Sequence, residues 1–128
     1  MKKILIVDDL DFNRTFLTKK LCYQEGELIL EPVTAGNIHQ AIDIIQTIKP
    51  NIVVTDINLP DGNGFQLAQL SKKIIPTLPI IYITAYSLTP FLETIKQWGI
   101  AQDSIFTKPY NLEAMRTAIS FFTDIDME

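Results

Sequence analysis

Asp8-Asp9, Asp56, Thr84 and Lys108-Pro109 are the residues of this chain whose types and order could do chemistry. Each lies at the end of a short apolar run: Ile4 to Val7, Ile52 to Thr55, Ile80 to Thr84, and, more weakly, Ser104 to Thr107. If these runs are parallel strands, three carboxylates, a hydroxyl and an ammonium meet at one rim, because ligands of an open parallel sheet bind beyond the carboxyl ends of its strands. Carboxylates about 4 Å apart repel by roughly 4 kcal/mol at an effective dielectric near 20, so such a cluster shares a proton or holds a cation. Oxygen donors with no His or Cys among them suit Mg²⁺, with Mn²⁺ possible, and leave coordination positions for a phosphate oxygen. Lysine and threonine add the charge and the donor that stabilise a phosphoryl group in transfer. Asp56 then reads as a carboxylate nucleophile.

The elements that must position these groups are legible in the apolar spacing. A fifth β-branched run, Leu28 to Val33, joins the four above, and each is short enough for a buried strand. Between them lie helical stripes: Phe12, Phe16, Leu17 and Leu21; Ile38, Ala41, Ile42, Ile45 and Ile48; Leu67, Leu70 and Ile74; Leu112, Met115, Ala118, Ile119 and Phe122. Thr89-Pro90 reads as an N-cap with proline at the first helical position, and Gly99 ends that helix after Trp98. Lys49-Pro50 and Ile75-Pro76 close two others. Five strands alternating with five helices predict an α/β fold, a doubly wound five-stranded parallel sheet with right-handed crossovers.

The chain of 128 residues suits one domain, expected over residues 1–128, which can bury about two thirds of its unfolded surface. Eleven Lys and Arg against fifteen Asp and Glu give a net charge of -4 with no basic stripe, which argues against direct nucleic-acid binding. One cysteine excludes an internal disulfide, and no apolar run is long enough for a signal segment or a membrane span, so a cytoplasmic workplace is expected.

Asp8-Asp9, Asp56 with Pro60 four and Gly64 eight residues later, Thr84-Ala85, and Lys108-Pro109 together resemble the receiver domain of two-component response regulators, over essentially the whole chain. The resemblance implies a flavodoxin-like sheet in strand order 2-1-3-4-5. It implies that Asp56 accepts phosphate from a sensor histidine kinase or a phosphotransfer protein, so the chain is a signalling switch rather than an enzyme of general turnover. Asp9 would bind the metal directly, Asp8 largely through water, and Asn58 through its backbone carbonyl. Lys108 would contact the phosphate and Thr84 would swing toward it, altering a protein-binding face of helix four, strand five and helix five for a downstream protein partner. Dimerisation on phosphorylation is common in the family, so a homodimer is possible. The chain departs from the family at Ile105, three residues before the lysine, where a switching Tyr or Phe often stands; Ile105 fills that pocket while Phe106 faces the opposite side as core. Asn58 and Tyr86 occupy positions that tune the lifetime of the acyl phosphate, and a large Tyr86 is expected to shield it from water.

Each residue alone has an ordinary explanation, as a helix cap, a turn residue, a strand threonine or a solvated lysine; it is their coincidence at four strand ends that favours chemistry. A haloacid-dehalogenase-like phosphotransferase would need a second acid at Asn58 and room for a cap domain. A flavin or nucleotide carrier would need a phosphate-cradling loop where Asp8-Asp9-Leu10-Asp11 presents negative charge. A calcium loop counted from Asp56 reaches Leu67 where its bidentate glutamate belongs. A module working by protein contact alone remains the rival from another class. His39 reads as a surface residue, Cys22 as a small buried group, and Trp98 as a contact at a helix end.

Overall fold

Strands buried on both faces need unbroken apolar runs, and the centre of this molecule is built from three of them. In the computed structural model, which describes residues 1–127, β1 (Lys3–Val7) pairs in parallel with β2 (Glu31–Ala35) on one side and β3 (Ile52–Asp56) on the other. β4 (Ile80–Thr84) follows β3, and β5 (Ile105–Thr107) closes the far edge, giving the parallel order β2-β1-β3-β4-β5. This is the expected 2-1-3-4-5 order of a flavodoxin-like sheet. Glu128, the last residue of the expected domain, lies outside the described residues.

Five helices cover the two faces: α1 (Asp11–Cys22) and α5 (Leu112–Thr123) on one, α2 (Ile38–Thr47), α3 (Gly64–Ile74) and α4 (Leu92–Gln97) on the other. Alternation along the strands divides the core accordingly. Leu5, Val7, Val53 and Tyr82 pack with Ala41, Ile45, Phe65, Leu67 and Ile95, while Ile4, Ile6, Val54, Ile81 and Ile83 pack with Leu17, Leu21, Met115 and Ile119. Burying each such side chain stabilises by roughly 1.5–3 kcal/mol. Ile105 and Phe106 lie on opposite faces, as alternation requires.

The second strand begins later than the apolar run from Leu28 predicts. Tyr23–Gln24 pairs antiparallel with Glu27–Leu28 around Glu25 and Gly26, whose φ values of 52° and 80° make the tight turn. Ile29 and Leu30 then turn inward, both amides donating to the carbonyl of Cys22 at the end of α1, and pairing starts only at Glu31. Pro32 is tolerated because β2 is an edge strand.

Helix ends bring further corrections. Thr89 is not an N-cap: Thr89–Phe91 forms a 3₁₀ turn entered from Leu88, with the Thr89 amide donating to Ser87 Oγ at 3.1 Å, and α4 proper starts at Leu92. Gly99 ends that helix as expected, at φ 61°. Four residues of the predicted stripes are exposed: Phe12 in the first turn of α1, Ile48 beyond the end of α2, Leu70 on α3 and Phe122 on the last turn of α5. Phe12, Ile48 and Phe122 stand at helix ends, whereas Leu70 lies within α3 between the buried Leu67 and Ser71.

Candidate metal centre

Strand register levels the acidic residues. Val7 pairs with Thr55, so Asp8 and Asp56 stand side by side immediately beyond the central strands. Asp56 in turn pairs with Ile83, and Thr84 with Thr107, which brings Thr84 one step and Lys108 two steps further along the same rim. Carboxylate oxygens of Asp8, Asp9 and Asp56 lie within 4.8 Å of one another. Only hard oxygen donors converge there, which is the donor set of a hard divalent cation such as Mg²⁺.

The three carboxylates have different surroundings. Asp8 is fully buried, and its carboxylate accepts from the Leu10 amide at 2.9 Å and from Asn13 Nδ2 at 3.2 and 3.4 Å. Arg14 donates to the Asp8 carbonyl at 2.6 Å and reaches Asp11 at 3.3 Å, so its charge is fastened to the backbone. Asp9 is exposed and Asp56 is half-buried. Asp56 Oδ1 accepts the Asn58 amide at 3.0 Å. Burial pushes the Asp56 carboxyl up to about 6; Asp8 and Asp9 push the same way, and the Asn58 amide and Lys108 oppose them. A like-charged, partly desolvated carboxylate of this kind is relieved by a cation.

Thr84 is buried, and its Oγ1 accepts the Tyr86 amide at 3.1 Å and Asn58 Nδ2 at 3.4 Å. Lys108 is half-buried, its amide donating to the Thr84 carbonyl at 2.8 Å, and its ammonium forms no ion pair among the described residues. Tyr86 is 68% exposed beside this group, and Ile105 is half-buried on β5 opposite Tyr82. Gly64 lets the loop fold over: a Cβ there would lie 2.8 Å from the Asp56 carbonyl oxygen. His39 is exposed, 3.9 Å from Asp43, and Cys22 is buried with its thiol pushed up to about 12 by desolvation.

Sequence reasoning missed Asn13, Arg14, Asp61 and Tyr110. Asn13 and Arg14 lie one turn beyond the acidic pair on α1, a spacing that could have flagged them. The Tyr110 phenol is raised by burial and then by Asp8 and Asp56, which places it in the field of the acidic rim. Asp61 carries the signal of a Pro-Asp-Gly turn, but its hydrogen-bond partners lie 22 and 23 residues upstream.

Residues 4–120 match the response regulator receiver domain. Over 121 residues the chain is 29% identical to the sensor histidine kinase RcsC of Escherichia coli, covering 94% of this chain and 12% of that protein. It is 29% identical to sporulation initiation phosphotransferase F of Bacillus subtilis, covering 92% of this chain and 90% of the relative. The crystal structure of a CheY-like receiver domain protein from Methanospirillum hungatei superposes with a TM-score of 0.77 at 29% identity, covering 97% of this chain and 94% of that one. With five parallel strands in the receiver order and an acidic cluster at their carboxyl ends, the chain belongs to the response regulator receiver domain family.

Proposed function

We propose that Asp56 is the phosphoacceptor of a two-component system and that residues 1–128 act as one receiver domain. The observation that carries this reading is the convergence of Asp8, Asp9 and Asp56 within 4.8 Å. Asp8, Asp9, Asp56 and the Asn58 backbone carbonyl would hold a divalent cation, Mg²⁺ before Mn²⁺. When bound, the cation supplies neutralisation of the charge on the transferred group.

An Asp56 carboxylate oxygen attacks phosphorus in line with the leaving group of a phosphohistidine donor. The new P–O bond forms as the P–N bond breaks, and the electron pair leaves with the imidazole nitrogen, which takes a proton from solvent. Lys108 offsets charge on the phosphoryl oxygens, and Thr84 exchanges its local contacts to Tyr86 for a hydrogen bond to one of them. That exchange draws the loop after β4 inward and shifts an equilibrium between two arrangements of the α4, β5 and α5 face.

The donor is a sensor histidine kinase or a phosphotransfer protein, and the output is contact with a protein partner, with phosphorylation-dependent homodimerisation a further outcome to measure. Relatives of both kinds support the donor assignment. No described helix is long and apolar enough to cross a membrane, and we place the domain in the cytoplasm with its donor.

Acetyl phosphate with Mg²⁺ should label the wild-type protein with hydroxylamine-labile acyl phosphate, and Asp56→Asn should take no label. Labelling that survives Asp56→Asn removes Asp56 from this role.

A further inference from the structure

The segment after Asp56 is a hairpin of two residues a side, Asn58–Leu59 against Gly62–Asn63, too short to keep its shape alone. Its base is fastened to α3. The Gly64 amide donates to the Ile57 carbonyl at 2.8 Å, and Asn63 and Gln66 form a reciprocal capping box with both bonds at 2.9 Å. Its tip is fastened elsewhere. Asp61 Oδ1 accepts the Ile38 amide at 2.9 Å and Oδ2 the His39 amide at 3.1 Å, both at the start of α2. Beside it, a Cβ on Gly62 would stand 2.8 Å from Ile38 Cδ1, so the tip is pressed against the same helix turn.

α2 does not need Asp61 as its N-cap, because Asn37 already accepts the Gln40 amide at 2.8 Å. What Asp61 adds is a link between two walls of the acidic rim. α2 begins three residues after Ala35, whose carbonyl accepts the Asp8 amide at 3.1 Å, while the hairpin carries Asn58, whose amide holds Asp56. Desolvation is the largest single influence on the Asp61 carboxyl and raises it, but the backbone amides of Ile38, His39 and Asp61 and the His39 charge together outweigh it and hold the group below the usual carboxylate range. The brace is therefore charged at neutral pH.

We infer that Asp61 is a positioning residue for the cation site, fixing the Asn58 backbone relative to Asp8 and Asp56 through α2. The inference rests on the cation-binding reading above. Outer-shell supports of metal ligands are commonly worth about tenfold or more in affinity, and a brace acting through a surface hairpin belongs at the low end of that range.

The test compares Asp61→Ala with Asn37→Ala, which removes the other cap of the same helix end without touching the hairpin. In Mg²⁺ titrations followed by backbone amide NMR, Asp61→Ala should weaken binding by about tenfold, Asp61→Asn by less, and Asn37→Ala should leave it unchanged. In the metal-free protein, hydrogen exchange of the Asn58 amide should quicken in Asp61→Ala and not in Asn37→Ala. Equal effects of the two alanine variants, or no effect of Asp61→Ala on either measurement, would overturn the inference. Asp56→Asn serves as the separate control: if it leaves Mg²⁺ affinity intact, the cation reading falls, and Asn58 exchange alone judges the brace.

Discussion

Tyr82 stands directly opposite Ile105 in the β4–β5 register, and its ring packs 4.8 Å from that of Phe65. Phe65 in turn lies 5.5 Å from Phe91, in the turn that leads from the Thr84 loop into α4. Thr84, Tyr82 and Ile105 share one face of the sheet by alternation. The aromatic volume beneath the Thr84 loop therefore comes from β4, α3 and the turn before α4, where a β5 ring is absent. Movement of Thr84 should reach Ile105 by way of this packing. With Mg²⁺ and beryllofluoride, the Ile105 methyl and Tyr82 ring resonances should shift together. In Lys108→Ala the analogue should still alter resonances at the acidic rim while Ile105 stays in place. An unchanged Ile105 response in that variant would show that Lys108 does not carry the signal.

Asp56 supplies a pH dependence of known sign. Its folded-state value near 6 exceeds its ordinary 3.8, so between about pH 4 and 6 the folded protein binds more protons than the unfolded chain. Stability of the metal-free protein should fall as pH rises through that window and level off above it. Asp56→Asn removes the penalty, so at pH 7 without metal it should melt a few degrees higher than wild type, with the gap closing toward pH 4. Solvent screening at this half-buried carboxylate keeps the effect modest. Mg²⁺ should narrow the gap by stabilising wild type alone. A metal-free Asp56→Asn protein that melts lower at pH 7 would contradict the assigned strain.

Much of this site is legible in the sequence for a physical reason: β-branched runs ending in polar residues mark both the strands and the rim on which ligands bind. Asp8 and Thr84 are one step, and Asp56 and Lys108 two steps, from the last apolar residue of a strand, and parallel register then leaves little freedom in where they meet. The start of β2 departs from the apolar pattern because Leu28, Ile29 and Leu30 are as apolar as a strand, while the turn with positive φ at Glu25 and Gly26 takes Leu28 into a hairpin and leaves Ile29 and Leu30 bonded to Cys22. Phe12 and Phe122 satisfy helical spacing yet are exposed, each in an end turn of its helix. Asp61 was invisible as a brace because its partners belong to another helix.

Tyr86 connects the site to solvent. Its amide and carbonyl both engage Thr84 Oγ1, at 3.1 and 3.4 Å, while its ring is 68% exposed. Tyr86→Ala leaves those backbone contacts in place and removes only the ring. Hydrolysis of the acyl phosphate, followed by loss of label after removal of acetyl phosphate, should accelerate several-fold, with the labelling rate little changed. An unaltered decay rate would exclude the ring as a shield against water.

Gly64 sets how closely α3 approaches the phosphoacceptor strand. An added methyl group would meet the Asp56 carbonyl oxygen at 2.8 Å, the Ile57 Cα at 3.2 Å and the Thr55 Cγ2 at 3.2 Å. Two of these three are backbone atoms, so no side-chain rotation relieves the clash, and the start of α3 must move away from β3. Overpacking of this kind costs about 1–3 kcal/mol. The displacement also loosens the Gly64 amide from the Ile57 carbonyl and disturbs the Asn58 amide that holds Asp56. Gly64→Ala should therefore lower the denaturant midpoint and slow acetyl-phosphate labelling even where the protein is fully folded. Gly26→Ala supplies the contrast: Gly26 has φ 80° and nothing within 4 Å of an added Cβ, far from the acidic rim. It should lose stability through backbone strain alone and label at the wild-type rate. Equal labelling defects in the two variants would mean that general destabilisation, rather than the approach of Gly64 to Asp56, governs the chemistry.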